Sequence, residues 1–178
     1  MTPAEIKALV RTVPDFPAPG IMFRDITSVI AHPEGLSATI DHLVAAARPM
    51  QPSAVAGIEA RGFIFGAAIA ARLGLGFVPL RKAGKLPVAT IGVDYALEYG
   101  QARIELDPTL IVDGEPVLLV DDLLATGGTA LAGAQLLRDA GALVEHALFV
   151  IDLPELGGGA QLRAAGVEPW ALIDFEGH

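Results

Sequence analysis

The chain has 178 residues and a mass of 18.4 kDa, which is the size of one ordinary domain. Hydrophobic residues make up 52% and charged residues 19%, which excludes global disorder. The net charge of −9 is opposite in sign to that of general nucleic-acid or membrane-surface binders, so neither partner is predicted. The absence of cysteine excludes disulfides and a cysteine nucleophile and suits a reducing, cytoplasmic location.

The N-terminal region is predicted to contain two helices separated by a proline-rich segment. Thr2–Glu5 has the pattern of a capping box with proline at the first helical position. Apolar residues then follow at helical spacing at Ile6, Leu9, Val10 and Val13. Prolines and Gly20 stop this helix, so residues 14–27 are predicted to be ordered but irregular. A second helix is predicted from Pro33 to about Ala47.

From residue 54 onward, strands and helices alternate. Strands are predicted at residues 54–58, 77–80, 117–120, 143–151 and 170–173, the last at a sheet edge. Helices are predicted at residues 62–73 and 130–140, each followed by glycine. This order indicates one α/β domain with a doubly wound, mostly parallel sheet.

Residues 81–108 interrupt that alternation. They are richer in charge, and two alternating stretches, 88–93 and 102–106, predict a hairpin. An insertion of this length in a compact domain is more often a lid or a binding loop than packing material. The glycines at 157–159 are interpreted as a flexible turn.

The strongest candidate site is the run VLLVDDLLATGGT at residues 117–129. A buried strand leads into two carboxylates, Asp121 and Asp122, and then into a glycine loop that opens a helix. Backbone N–H groups at a helix start, with nearby threonine hydroxyls, form a phosphate cradle. Carboxylates beside it suit sugar hydroxyls, so the run predicts a pentose phosphate site. Taken singly, the acid pair is more often a turn or cap, and the glycines a loop.

The same run resembles the phosphoribosyl pyrophosphate (PRPP) signature of type I phosphoribosyltransferases. Three further segments narrow the resemblance to the adenine phosphoribosyltransferase family, and they are FPAPGIMFRDIT (16–27), GIEARGFIFG (57–66) and RKAGKLPVATIGVDYALEYGQARIEL (81–106). The resemblance implies one domain over residues 1–178, with an N-terminal hood at about 1–33 and a lid loop at about 81–108. It also implies a homodimer.

The resemblance implies a purine-salvage reaction in which the 5-phosphoribosyl group of PRPP passes to adenine, giving AMP and pyrophosphate. Mg²⁺ would be bound through the substrate, with no direct protein ligand and no organic cofactor. Asp121 and Asp122 would be catalytic, holding the ribose hydroxyls and stabilising positive charge on the ribose. The 5′-phosphate would be held by Ala125, Thr126, Gly127, Gly128 and Thr129.

Pyrophosphate and the base would be bound by other segments. The resemblance assigns pyrophosphate to Glu59, Ala60 and Arg61 and to the basic residues Arg81, Lys82 and Lys85. It assigns adenine to Met22, Phe23, Arg24 and Leu123, with Phe23 stacking on the ring. Glu98 would be the catalytic acid–base group near the purine, and Tyr99 would cover the reacting centre.

Two alternative functions remain at the level of sequence. A phosphoribosyltransferase for a 6-oxopurine, hypoxanthine or xanthine, would need groups matched to a 6-oxo substituent, whereas this chain carries the adenine-type hood and lid. A PRPP-sensing regulator would call for a basic DNA-binding module, yet only 15 residues precede Phe16 and the isoelectric point is about 4.7.

Overall fold

The apolar runs of the sequence form one central sheet, and the segments with helical spacing of apolar residues form helices that cover both of its faces. The structure is a computed structural model that describes residues 1–96 and 100–177. The described strands are β1 (Arg11–Pro14), β2 (Met22–Asp25), β3 (Ala54–Ile58), β4 (Gly76–Lys82), β5 (Ile91–Ala96), β6 (Gln101–Leu106), β7 (Val117–Leu124), β8 (His146–Asp152) and β9 (Glu168–Asp174). The described helices are α1 (Pro3–Leu9), α2 (Thr27–Ile30), α3 (Pro33–Ala47), α4 (Arg61–Leu73), α5 (Gly128–Asp139) and α6 (Gly158–Ala164).

The central sheet has the order β5-β6-β4-β3-β7-β8-β9. Strands β4, β3, β7, β8 and β9 pair in parallel, whereas β5 and β6 form an antiparallel hairpin attached to β4. The doubly wound, mostly parallel sheet predicted from the sequence is therefore confirmed. The hairpin predicted within residues 81–108 is confirmed as well, and its strands extend the sheet itself.

The direction of the chain changes between β3 and β7, which are neighbours in the centre of the sheet. Helix α4 carries the chain from β3 outward to β4, and α5 carries it from β7 outward in the opposite direction to β8. The carboxyl ends of β3 and β7 therefore lie side by side while the segments that follow them separate. In open α/β sheets such a switch point is where ligands bind.

Each face of the sheet packs against its own helical layer. Along β7, Val117 and Leu119 contribute to the core beneath α5 and α6, whereas Leu118 and Val120 contribute to the core beneath α1, α3 and α4. All four side chains are at most 3% exposed, and each buried Leu or Val stabilises the fold by about 1.5–3 kcal/mol relative to exposure. This two-sided burial explains why β7 shows no polar alternation.

The N-terminal hood differs most from the sequence prediction. Helix α1 has the predicted capping box at Thr2 but ends at Leu9, so Val10 and Val13 are not helical. Instead, β1 pairs with β2 in an antiparallel hairpin that sets Val13 opposite Phe23. Residues 14–27 are therefore not wholly irregular, because backbone pairing between distant residues overrides the local helical spacing.

Other boundaries move by a few residues. Strand β7 continues to Leu124, so both aspartates lie within the strand rather than after it, and α5 begins at Gly128 rather than at residue 130. Strand β8 begins only at His146. The predicted bounds of β3 and α3 and the edge position of β9 are confirmed. Among the described helices, none is long and apolar enough to cross a membrane.

Candidate active site

A cavity of about 210 Å³ opens at the switch point between β3 and β7. It is lined by Arg61 at the start of α4 and by residues 121–130, which comprise the end of β7, the following loop and the start of α5. The fold therefore brings the acid pair, the glycine loop and Arg61 together, although Arg61 and Asp121 lie 60 positions apart in the sequence. We call this space the strand-end cavity.

The acid pair and Arg61 form one electrostatic unit. The Arg61 Nε donates a hydrogen bond to Asp122 Oδ2 at 2.5 Å, and the Asp122 backbone N–H donates to Asp121 Oδ1 at 2.9 Å. Burial and the adjacent charge of Asp122 raise the pKa of Asp121 well above its usual range. Burial opposes the charge of Arg61, but Asp122 outweighs it and raises the pKa of Arg61. The unit thus concentrates two acids and one cation at the cavity wall.

The loop after β7 leads into a helix start without a side-chain cap. Gly127, the N-cap residue of α5, adopts φ 89° and leaves the first N–H groups of the helix without a capping side chain. Those amides have no acceptor within the helix. Together with the helix dipole, they form a surface suited to an anion, which no acidic residue in the first turn of α5 opposes.

The remaining residues assigned to pyrophosphate lie at the adjoining ends of β3 and β4. Glu59 accepts hydrogen bonds from Arg81 Nε and Nη2 at 3.3 and 3.2 Å and from the Lys82 backbone N–H at 2.9 Å. Burial tends to raise the pKa of Glu59, but these donors lower it below its ordinary value. Glu59 therefore holds Arg81 in place, and Lys82 and Lys85 remain exposed. The peptide bond from Glu59 to Ala60 is cis.

A second cavity, of about 410 Å³, lies under the hood, and we call it the hood cavity. Phe23 contributes to its wall and contacts Phe16 edge to face at a centroid distance of 5.1 Å. Its lining residues are Val13, Phe16, Phe23, Arg24, Asp25, Ile26, Thr27 and Arg61. Arg61 thus lines both cavities, and the hood cavity adjoins the strand-end cavity at this side chain.

The other residues assigned to adenine lie in three different settings. Met22 is 37% exposed and lies outside the set that lines the hood cavity. Leu123 lines the strand-end cavity instead. The Arg24 guanidinium donates to Thr12 Oγ1 at 2.6 Å and to the carbonyls of Glu176 and Gly177, and it lies over the ring of Phe175. Arg24 therefore fastens the C-terminal segment to the hood as well as lining the cavity.

Glu98 and Tyr99, which were assigned to proton transfer and closure, lie outside the described residues. The described end of β5 reaches the strand-end cavity, since a Cβ placed on Gly128 would lie 3.6 Å from the Ala96 carbonyl oxygen. Across residues 1–96 and 100–177, no group of three or more His, Asp or Glu side chains is arranged to hold a metal ion.

Sequence reasoning missed several residues that shape the two cavities. Val13 and Phe16 line the hood cavity, yet nothing local distinguishes them from core residues. Gly62 adjoins Asp121, because a Cβ at Gly62 would lie 2.8 Å from Asp121 Oδ1. The glycine run at 157–159 is not a flexible turn, since Gly158 begins α6 and packs against the loop after β7. The three consecutive glycines at 157–159 were the sequence signal that could have indicated a close approach of two backbone segments.

Comparison with known proteins agrees with this geometry. The sequence profile of the phosphoribosyl transferase domain matches residues 29–158. An adenine phosphoribosyltransferase of Novosphingobium aromaticivorans is 69% identical over the full length of both chains. The crystal structure of the Thermoanaerobacter pseudethanolicus adenine phosphoribosyltransferase has a TM-score of 0.92 at 42% identity and covers 98% of this chain and 100% of its own. The Giardia lamblia enzyme, complexed with 9-deazaadenine, has a TM-score of 0.93 at 36% identity, with 98% of each chain covered.

The doubly wound sheet, the switch-point cavity and the profile match agree on one class of protein, and the chain belongs to the phosphoribosyltransferase family. Its full-length relatives place it among the adenine phosphoribosyltransferases, which are pentosyltransferases of purine salvage.

Proposed function

We propose that the chain transfers the 5-phosphoribosyl group of PRPP to adenine across the junction of the strand-end and hood cavities, giving AMP and pyrophosphate. The observation that carries this proposal is that Arg61 lines both cavities. A polar space with an anion cradle therefore adjoins a space whose wall includes the rings of Phe16 and Phe23. Bond formation between a ribose and a purine requires that their two sites meet.

The strand-end cavity would hold the ribose 5-phosphate part of PRPP. The amides of residues 125–129 would bind the 5′-phosphate, assisted by the hydroxyls of Thr126 and Thr129. Asp121 and Asp122 would accept hydrogen bonds from the ribose hydroxyls. Their negative charge would stabilise the positive charge that develops on the ribose as pyrophosphate leaves, and such fixed charges are usually the largest contribution to catalysis.

The pyrophosphate would lie toward the ends of β3 and β4. Arg61 is held by its ion pair with Asp122 and Arg81 by its ion pair with Glu59, so both cations are already positioned before substrate binds. Mg²⁺ takes oxygen ligands and commonly keeps substrate phosphates among them, so the ion would arrive on PRPP and be bound through the substrate. The ion would supply charge neutralisation to the departing pyrophosphate.

The hood cavity would hold adenine. Its volume falls in the range of small-molecule sites, and its wall combines aromatic faces with a few polar groups. Phe23 would stack on the purine, with Met22, Arg24 and Leu123 around it. Glu98 follows Ala96 by two residues, and Ala96 adjoins the start of α5. This proximity supports a role for Glu98 in moving the purine proton and for Tyr99 in covering the reacting atoms.

The reaction is tested by supplying the purified protein with PRPP, Mg²⁺ and each of four bases, namely adenine, hypoxanthine, guanine and xanthine. We expect AMP from adenine and turnover of the other three at least about 10²-fold slower, because a site matched to one set of hydrogen-bonding groups rejects the others. Faster turnover of hypoxanthine than of adenine would overturn the proposal.

We also propose that the enzyme is a cytoplasmic homodimer. Large apolar side chains are exposed at Ile64, Val88, Leu110 and Val112, with exposed fractions between 40% and 67%. A second copy covering part of this set would remove apolar area from water. Sedimentation equilibrium should give twice the mass of the chain, and a monomer mass at micromolar concentration would contradict this.

A further inference from the structure

The loop after β7 is held from behind by the segment that follows β8. The Leu153 backbone N–H donates to the Leu124 carbonyl at 2.9 Å, and the Gly158 N–H donates to the Ala125 carbonyl at 3.1 Å. Two consecutive carbonyls, one from the last residue of β7 and one from the first residue of the loop, are thus bound to residues that lie outside the cavity lining. The loop owes its shape to these partners as much as to its own glycines.

This arrangement fixes the direction of two amides. In a trans peptide the C=O and N–H point in opposite directions. Binding the Leu124 and Ala125 carbonyls toward the segment at 153–158 therefore turns the N–H groups of Ala125 and Thr126 away from that segment. Both residues line the strand-end cavity. Consecutive N–H groups directed to one side make a concave surface for an anion.

Gly158 approaches this loop so closely that a side chain does not fit. A Cβ at Gly158 would lie 2.3 Å from the Ala125 carbonyl oxygen and 2.9 Å from the Gly127 nitrogen, both of which are backbone atoms. In the reverse direction, a Cβ at Gly127 would lie 3.0 Å from the Gly158 Cα. The next residue, Gly159, has space, since its nearest neighbour would be an Arg163 nitrogen at 3.4 Å.

We propose that Gly158 is a positioning residue for binding of the 5′-phosphate, because it holds the Ala125 carbonyl out of the cavity and thereby directs the loop amides into it. The inference rests on the proposed location of the 5′-phosphate at residues 125–129. Gly158 itself does not touch the substrate. It acts through the loop, and its effect is confined to the phosphate end of PRPP.

The experiment compares Gly158→Ala with Gly159→Ala, which adds the same methyl group one residue further along α6. For Gly158→Ala we expect the KM for PRPP to rise at least about tenfold, which corresponds to one lost hydrogen bond to a charged group. The KM for adenine should change less than about twofold, as the hood cavity lies apart from α6. Gly159→Ala should keep both constants. An unchanged KM for PRPP in a folded Gly158→Ala variant would overturn the proposal.

A second measurement covers the case in which Gly158→Ala does not fold. In the ¹⁵N-labelled wild-type protein, the Gly158 amide resonance should shift when ribose 5-phosphate is added and stay unchanged with ribose. An amide that responds to neither ligand would overturn the role of Gly158. A Thr129→Val variant tests the underlying site, since unchanged ribose 5-phosphate affinity there would contradict the phosphate location itself. Weakened affinity in Thr129→Val with full affinity in Gly158→Ala would contradict only the inference about Gly158.

Discussion

The two cavities that meet at Arg61 are built in different ways. The strand-end cavity comes from ten consecutive residues, 121–130, at the end of a buried strand, and one side chain from α4 completes it. The hood cavity takes residues from β1, the turn after it, β2, the start of α2 and α4, and its wall combines two aromatic rings with aliphatic and polar side chains. Under the proposed assignment, binding of the ribose phosphate would depend on backbone and fixed charge, whereas base recognition would depend on the packing of side chains from separate segments.

Substitution of the acid pair Asp121 and Asp122 should give the largest effect among the tests of this difference. Asp121→Asn combined with Asp122→Asn should lower kcat/KM for PRPP by roughly 10²–10³-fold, because fixed charge facing the ribose is lost in the transition state. PRPP should also cease to raise the melting temperature. Asp139→Asn, on the exposed side of α5 where Asp139 bonds Gln135, is the matched control. Persistent protection by PRPP in the double variant would remove the ribose from this cavity.

Glu98→Gln tests whether Glu98 moves the purine proton where the two cavities meet. We expect kcat to fall at least about 10²-fold, since a positioned acid–base group contributes that much or more. The KM for PRPP should change little, because Gln keeps the size and polarity of Glu. A variant that raised only KM would show that Glu98 binds substrate without moving a proton.

Phe23→Ala tests the hood cavity separately. Base stacking on an aromatic ring contributes about 1–3 kcal/mol, so the KM for adenine should rise at least about fivefold while the KM for PRPP stays within about twofold. Phe63→Ala is the control. It removes a ring of the same size from α4, where Phe63 contacts Phe77 outside the lining of the hood cavity. An equal effect of both variants on adenine would mean that Phe23 acts only through stability.

The two cavities should also respond to pH with opposite signs. In the hood, the Thr27 hydroxyl and the Arg11 guanidinium lower the pKa of Asp25 to about 2. A lowered folded-state pKa adds stability above the unfolded value, and this stability is lost as pH falls through the folded value. Asp25→Asn should therefore lower the melting temperature at pH 7, by about 2–4 °C for each kcal/mol lost. The difference from wild type should shrink between pH 4 and pH 2.

Substitution of Asp121 should have the smallest effect on the melting temperature, and its sign should be opposite to that for Asp25. Its pKa is raised, first by burial and then by the charge of Asp122, so its ionised form opposes folding at neutral pH. Asp121→Asn should therefore leave the melting temperature of the ligand-free enzyme at pH 7 unchanged or slightly higher. A fall as large as that of Asp25→Asn, measured by scanning calorimetry, would show that the ionised Asp121 stabilises the fold.

The sequence predicted the strand-end cavity much better than the hood. Residues 117–129 are contiguous, and each type there has a chemical reason that can be read locally. Val13 and Phe23 pair across a hairpin, and the helical spacing from Ile6 to Val13 concealed β1. Phe23 and Arg24 were assigned to the base only by the resemblance, because without it an aromatic residue is more often part of the core and Arg24 would pair with a neighbouring acid. Gly158 lies more than 30 residues after the loop it supports, and only tertiary packing reveals that contact.

The fastening of the C-terminal segment to the hood has a practical consequence. Arg24 binds the carbonyls of Glu176 and Gly177, and the ring of Phe175 makes cation–π contacts with both Lys7 and Arg24. A C-terminal affinity tag would thus follow a segment that is bound to Arg24 at the wall of the hood cavity, and the tag would compete with that segment for the Arg24 guanidinium. Purification through a cleavable N-terminal tag avoids this, since the Met1 carbonyl lies 3.0 Å from His42 on α3.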